Sequence, residues 1–273
     1  MFWKKKKNDN SNLNMKFELD YVVKTDTGLI RDNNEDSVKC INFNDDKNGF
    51  LAIVADGMGG HKSGEIASKM AIDLIPDIYY ETNGYNLMKL ETAFLKANNA
   101  IYEKSNSENQ YSGMGTTCTA VVLKQNKLYF AHVGDSRLYL FRDNELTQLS
   151  TDHTLVQKML DEGSLTTAEA NNYPQKNIIW QAMGTAKSLK VQMNKKPLEI
   201  YVNDRLLLCS DGLTDMLNDS EIKQILQMKS LNMVASCLIA LAKEKGGYDN
   251  ISIIIIEIKK YKRNIEKRDT KEF

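Results

Sequence analysis

Phe50-Leu51-Ala52-Ile53-Val54-Ala55-Asp56-Gly57-Met58-Gly59-Gly60-His61 is the stretch that decides the fold. Its apolar half has the length and the glycine boundary of a buried strand, and a helical pattern starts just after it. The strand therefore ends by lifting one carboxylate, Asp56, to the rim of a sheet. The nearby glycines let the backbone approach whatever Asp56 holds. Taken alone, Asp56-Gly57 is an ordinary turn signal.

Repetition changes that reading. Leu128–Val133 runs into Gly134-Asp135-Ser136-Arg137, Leu206–Ser210 runs into Asp211-Gly212, and Asp249-Asn250 comes just before Ile251–Ile256. In antiparallel packing the end of one strand and the start of its neighbour share a rim. The pattern thus predicts that four carboxylates converge there. Close carboxylates repel unless cations neutralise them. Hard oxygen ligands without a cysteine or histidine cluster favour Mg²⁺ or Mn²⁺ over zinc.

The totals bound the class. A chain of 273 residues buries a large core, and its 42% hydrophobic and 26% charged content is that of a soluble globular protein. Lys+Arg and Asp+Glu are both 36, so net charge gives no reason to expect a nucleic-acid partner. Cys40, Cys118, Cys209 and Cys237 form no Cys-x-x-Cys pair and read as buried free thiols of a reducing compartment. The longest apolar run, Ile251 to Ile258, is too short to span a bilayer and contains Glu257. The expected location is the cytoplasm.

Lys4-Lys5-Lys6-Lys7 has no apolar core after it, so Met1–Asn14 reads as a disordered leader rather than a secretory signal. Phe2 and Trp3 beside the lysines leave contact with an anionic surface as the alternative. Arg31 sits in a polar loop between strands at Phe17–Lys24 and Val38–Phe43; beside Glu35 and Asp36 it is a candidate phosphate fork rather than a solvated surface residue. Helical spacing at Ala67–Ile78 and Leu90–Ile101 predicts two amphipathic helices over a sheet.

Strands follow at Thr116–Leu123, Lys127–Val133 and Arg137–Phe141, joined so tightly that they are expected to be antiparallel neighbours. His153–Leu160 reads as a helix, and Thr166…Glu169 fits a capping box opening a second. Gly163–Gly184 has no core pattern and is either a surface flap or a plain connection. Asp219-Ser220-Glu221 caps a helix near Ile222–Met228, and another at Leu231–Ala242 is broken by Gly246-Gly247. The last strand is expected to end near Ile258, leaving Lys259–Phe273 as a charged tail. One domain is expected over residues 15–258, of class α+β.

The chain resembles the bacterial branch of the metal-dependent protein serine/threonine phosphatases, the PPM or type 2C family. The resemblance rests on Thr25-Asp26-x-Gly28 with Arg31-x-x-Asn34-Glu35-Asp36, and on Asp56-Gly57-Met58-Gly59-Gly60-His61-x-x-Gly64-Glu65. Gly113-Met114-Gly115-Thr116-Thr117, Gly134-Asp135-Ser136-Arg137, Ser210-Asp211-Gly212 and Gly247-x-Asp249-Asn250 follow in the family's order. It implies a four-layer α-β-β-α sandwich, two antiparallel sheets flanked by helix pairs, with a flap at about 153–187 beside the active site.

It further implies that Asp36, Asp56, Asp211 and Asp249 hold two Mn²⁺ or Mg²⁺ ions with the Gly57 carbonyl, and that Glu35 joins through metal-bound water. Asp135 matches a carboxylate that shares a third, weaker ion with Asp211, and Arg31 matches the arginine that binds substrate phosphate. The implied reaction is hydrolysis of phosphoserine and phosphothreonine by a metal-bridging hydroxide. His61 is the candidate general acid, with a plain loop residue as the alternative. Tyr173 and Gln181 stand where many bacterial relatives carry histidine and arginine.

The implied partners are phosphorylated proteins that are substrates of a serine/threonine kinase, and a monomer is expected. A phosphatase dedicated to one regulatory phosphoprotein is the alternative within the enzyme class. Outside it, the alternative is an inactive pseudophosphatase acting as a binding module.

Overall fold

Side-chain alternation along the central strands distributes the apolar residues over three cores, and the layers follow from that. The computed structural model describes residues 15–43, 48–59, 63–166, 169–170, 173 and 177–263. The leader, His61, Pro174 and the final ten residues lie outside them. β1 (Met15–Asp26), β2 (Asp36–Asn42) and β3 (Phe50–Met58) precede two long helices, α1 (Ser63–Glu81) and α2 (Asn86–Ser105). Strands β4 (Gly115–Thr116), β5 (Cys118–Lys124), β6 (Lys127–Val133), β7 (Arg137–Arg142) and β8 (Glu145–Gln148) follow, then helix α3 (Leu155–Asp161). The chain continues through β9 (Gln192–Met193), β10 (Leu198–Glu199), β11 (Arg205–Cys209) and a single turn α4 (Asp211–Thr214). Helices α5 (Asp219–Leu226) and α6 (Leu231–Glu244) lead to β12 (Ile251–Arg263).

The strands form two antiparallel sheets, a five-stranded one ordered β1-β12-β11-β7-β8 and a seven-stranded one built on β10-β6-β5-β3-β2. β3 is buried on both faces. Leu51, Ile53 and Ala55 pack with α1 and α2 side chains, while Phe50, Ala52 and Val54 face the inter-sheet core. β12 repeats the arrangement, with Ile254, Ile256 and Ile258 between the sheets and Ile251, Ile253 and Ile255 under α5 and α6. Two-faced burial is why these strands read as unbroken apolar runs. Each buried isoleucine contributes about 1.5–3 kcal/mol, so truncating Ile254 to Ala strikes the centre of the sandwich.

The structure corrects four sequence expectations. β6 and β7 are not paired; they belong to different sheets. The corner between them is Gly134-Asp135-Ser136, where Gly134 has φ +105° and a Cβ would lie 2.5 Å from the Thr117 Cβ. β12 runs on to Arg263 rather than ending near Ile258, because β1 pairs with it along its whole length from Met15. The ladder joins backbone N–H and C=O groups, which charged residues supply as well as apolar ones do. The α5 cap is Asn218, one residue earlier than expected, in a capping box with Glu221. Cys118 and Cys209 are buried, but Cys40 and Cys237 only partly so, and all four are free.

Arg205 opens β11 with a buried charge. Its guanidinium donates to Glu257 Oε1 at 2.9 and 3.1 Å and to the carbonyls of Leu226 and Met228, both at 2.5 Å. Those carbonyls end α5, where a cation meets the negative end of the helix dipole. Lys259 also reaches the Glu257 carboxylate.

Candidate metal centre and phosphate site

Strand register assembles the site. The β2–β3 ladder sets Asp36 directly opposite Asp56. Asp56 is tied to the next strand, its N–H donating to Thr117 Oγ1 at 3.0 Å and its carbonyl accepting from the Thr117 N–H at 2.8 Å. A Cβ at Gly57 would fall 2.2 Å from the Gly64 carbonyl oxygen and 2.7 Å from that of Glu35, so only glycine lets these backbones meet. Gly64 is constrained by the same approach, since a Cβ there would lie 2.8 Å from the Gly57 carbonyl carbon.

The five-stranded sheet supplies the opposite side. The Ser210 hydroxyl donates to Asp36 Oδ2 at 2.7 Å across the two sheets and accepts from the Ser252 N–H at 2.9 Å. Asp211 follows at the start of α4. Asn250 anchors the β1–β2 loop: its Nδ2 donates to the carbonyls of Thr27 and Asn33, and its Oδ1 accepts from the Glu35 N–H at 2.8 Å. Arg31 Nη2 donates to Asp249 Oδ2 at 2.8 Å, and its side chain remains half-exposed.

Arg31, Glu35, Asp56, Gly57, Asp135, Asp211 and Asp249 line one cavity of about 220 Å³, together with Met58, Gly59, Asn250 and Ile179. Asp36 lies behind them, buried. A larger cavity of about 560 Å³ adjoins, sharing Asp135 and Asp211 and adding Asp152, Asp215, Asp219 and Arg137. Arg137 is bound to Asp152 through Nε and Nη2. The segment after α3 reaches both cavities, through Ile179 in the first and Ala170 and Asn177 in the second. It is tied down by the Thr154–Ile179 bridge, by the Leu155 N–H donating to the Ile178 carbonyl at 2.8 Å, and by Asn177 Nδ2 donating to Asp215 Oδ2 at 2.8 Å. Gln181 donates to the Lys190 carbonyl and to His153 Nδ1. Burial holds the His153 imidazole down at about 4, so that ring is neutral at pH 7.

Electrostatically the carboxylates of the rim outnumber its cations, of which the smaller cavity has only Arg31 among the described residues. Burial pushes Asp36 up to about 6 and Asp211 up to about 7, and neighbouring carboxylates add to the rise in both. Asp56 is raised well above the usual range by burial and then by the charges of Asp36, Asp211 and Asp135; Asp135 is raised by burial and by Asp211 and Asp152. Glu35 is raised by burial, against the opposing charge of Arg31. One oxygen each of Asp36, Asp135 and Asp211 is buried without a hydrogen-bond donor; Glu257 Oε2, far from this rim, is buried as well but faces the Lys259 ammonium.

Among the described residues no three His, Cys, Asp or Glu side chains are already closed around a single point. The fit to metal therefore rests on the orphaned oxygens. An unpaired buried carboxylate costs several kcal/mol, and an oxygen-only donor set suits a hard divalent cation. No cysteine or histidine lines the smaller cavity among the described residues.

His61 lies outside the described residues. Sequence reasoning gave Ser210, Asn250, Gly64 and Thr117 no role, although all four stand in the quoted motif blocks beside the carboxylates. A hydroxyl, an amide or a glycine next to a rim carboxylate is the signal that would have found them.

The sequence model described as Protein phosphatase 2C matches residues 31–245. Serine/threonine phosphatase stp of Listeria monocytogenes serotype 4b is 39% identical over 240 residues, covering 86% of this chain and 94% of its own. Serine/threonine protein phosphatase PstP of Mycobacterium tuberculosis is 39% identical over 244 residues, 89% of this chain and 46% of its own. The chain thus spans less than half the length of that relative. A crystal structure of the catalytic domain of PstP in complex with two manganese ions superposes with a TM-score of 0.77 at 38% identity, over 89% of this chain and 99% of that one.

Proposed function

The chain belongs to the protein phosphatase 2C family, and from that premise we propose that it hydrolyses phosphoserine and phosphothreonine in proteins with the help of divalent cations. The observation that carries the reading is the set of buried, donor-less carboxylate oxygens on Asp36, Asp135 and Asp211. Asp36, Asp56, Asp211 and Asp249, with the Gly57 carbonyl, would hold two Mn²⁺ or Mg²⁺ ions. Glu35 stands in the outer part of the cluster, and Asp135 with Asp211 would serve a third, weaker ion. When bound, such cations lower the pKa of coordinated water and neutralise phosphoryl oxygens.

The chain's own residues do the rest. Arg31 is held at the cavity mouth by Asp249 and offers the remainder of its guanidinium to a phosphate, a charge-assisted fork that orients the group. Ser210 fixes one Asp36 oxygen and leaves the other without a donor. Asn250 holds the loop of Arg31 and Glu35 in register with Asp249. His61 is the proposed proton donor to the departing seryl or threonyl oxygen.

The proposed partners are phosphoproteins made by a serine/threonine kinase, met by a cytoplasmic monomer folded as one domain from Met15 to the end of β12 at Arg263. Among the described residues no helix is long and apolar enough to cross a membrane. The test is hydrolysis of p-nitrophenyl phosphate with Mn²⁺, with Mg²⁺ and with chelator, repeated on a phosphothreonine peptide. Turnover of both with metal and of neither with chelator is expected. Turnover undiminished by chelator overturns the metal assignment, and no turnover with either metal points instead to a binding module.

A further inference from the structure

Leu29, Ile30 and Tyr248 stand out to solvent, 60%, 64% and 59% exposed. Their loop is firmly built. The Gly28 N–H donates to Asp26 Oδ1 at 2.9 Å, and the Leu29 N–H donates to the Gly247 carbonyl at 2.8 Å. Gly28 has φ +82°, and a Cβ there would lie 2.3 Å from the Asp249 carbonyl oxygen. Exposure of these side chains is therefore a fixed property of the backbone.

Leu29 and Tyr248 share one platform, and Ile30 is the next residue along the chain from Leu29. A Cβ at Gly247 would fall 3.1 Å from Leu29 Cγ, and one at Gly246 would fall 2.5 Å from the Tyr248 ring. Leu29 and Tyr248 thus cover the two glycines of a single turn. The next residues along each segment are Arg31 and Asp249, which bond to each other. A contiguous apolar patch held in water marks an interaction surface.

We infer that Leu29, Ile30 and Tyr248 form a docking surface for an apolar side chain of the phosphoprotein substrate, close in sequence to the phosphorylated residue. The inference rests on the phosphatase reading. Continuity with Arg31 decides the occupant: a chain whose phosphate reaches that guanidinium must lay its flanking residues over the neighbours of Arg31. The other flank of the site is the acidic cavity of Asp152, Asp215 and Asp219, so the two sides differ in what they accept.

The test compares phosphothreonine peptides that carry one leucine at each of the three positions on either side, against an all-serine peptide, with p-nitrophenyl phosphate as a substrate without flanks. Wild type should prefer leucine on one side by about tenfold in kcat/KM, equivalent to about 1.4 kcal/mol. The double variant Leu29→Ser with Ile30→Ser, and separately Tyr248→Ser, should lose that preference and keep nitrophenyl phosphate turnover. Wild-type indifference to leucine, or a preference surviving in both variants, overturns the inference while leaving the phosphatase reading intact. No nitrophenyl phosphate turnover by wild type with either Mn²⁺ or Mg²⁺ overturns both. A wild-type dimer that dissociates in the double variant, read by sedimentation, assigns the patch to a second copy and overturns the substrate assignment.

Discussion

The two ends of β11 carry buried charge on opposite terms. At Arg205 the charge brings its own partners, a carboxylate and helix-terminal carbonyls, so every donor direction is used to fix α5 against the sheet. Past Cys209 the chain reaches Asp211, whose buried oxygen has no donor and whose neighbours are further carboxylates. A charge buried for structure is neutralised within the chain. One buried without a partner is a binding function carried at the expense of the fold.

Reciprocal substitutions break this comparison most forcefully. Asp56→Asn should lower kcat about a thousandfold or more, the scale of a principal electrostatic element. It should leave the metal-free melting temperature equal or higher, since one repelling carboxylate is gone. Arg205→Met should do the reverse: urea unfolding should show a loss of about 3–5 kcal/mol, because the carbonyls of Leu226 and Met228 lose their donor and Glu257 keeps only Lys259, with specific activity of the folded fraction retained. Loss of both activity and stability in each variant would erase the distinction between the two ends.

Arg31→Ala is the next effect in size. It removes one charge-assisted contact of about 1.5–3 kcal/mol, so inhibition by free phosphate should weaken by about one to two decades and KM should rise. Unchanged phosphate inhibition would return Arg31 to the status of a surface residue.

Titration separates the two ends by sign. Asp36 and Asp211 sit above their unfolded value of 3.8, at about 6 and about 7. Their contribution is fully present below pH 3.8 and is lost as pH rises through 6 to 7. Glu257 behaves oppositely. Burial alone would raise it, but the bonds from Lys259 and Arg205 hold it below its ordinary 4.5. Its contribution is present above pH 4.5 and is lost as pH falls through the lowered value. Chelator-treated protein should therefore melt higher at pH 5 than at pH 8, and the gain from Mn²⁺ should be larger at pH 8. Differential scanning fluorimetry across that window checks both.

The smallest effect sharpens the comparison within the rim itself. Asp135→Ala should slow phosphothreonine-peptide hydrolysis several-fold more than nitrophenyl phosphate hydrolysis, because a threonyl alkoxide leaves poorly without a proton. Calorimetry should still count two tightly bound Mn²⁺. Equal losses on both substrates would put Asp135 on the same footing as Asp56.

The rim carboxylates were legible because each ends or begins an apolar run, and strand period fixes which end of the sheet such a residue occupies. Arg205 was not. In Asn203-Asp204-Arg205 it reads as a turn residue, and only the tertiary approach of α5 supplies its carbonyls. The Gly134-Asp135-Ser136 corner was missed for a related reason. Three residues between two strands read as a hairpin, and nothing local says that the second strand joins the other sheet. The far end of β12 was hidden by its lysines, whose side chains carry solvent preference while the backbone is committed to β1. The segment after α3 left no periodic trace because it is held by backbone bonds and by side chains such as Asn177 rather than by an apolar face.

The bond from Ser210 to Asp36 joins residues 174 positions apart and spans the seam between the sheets. Along most of that seam the sheets adhere through aliphatic side chains, a contact that lets go gradually. At the rim they are latched by polar groups drawn from both sides, Asp36 and Asp56 from one sheet and Asp211 and Asp249 from the other. Whatever neutralises that ring of charge also rivets the seam shut. Loss of cations would then act on the molecule as the pulling of a pin, easing the parting of the two sheets at the active-site end.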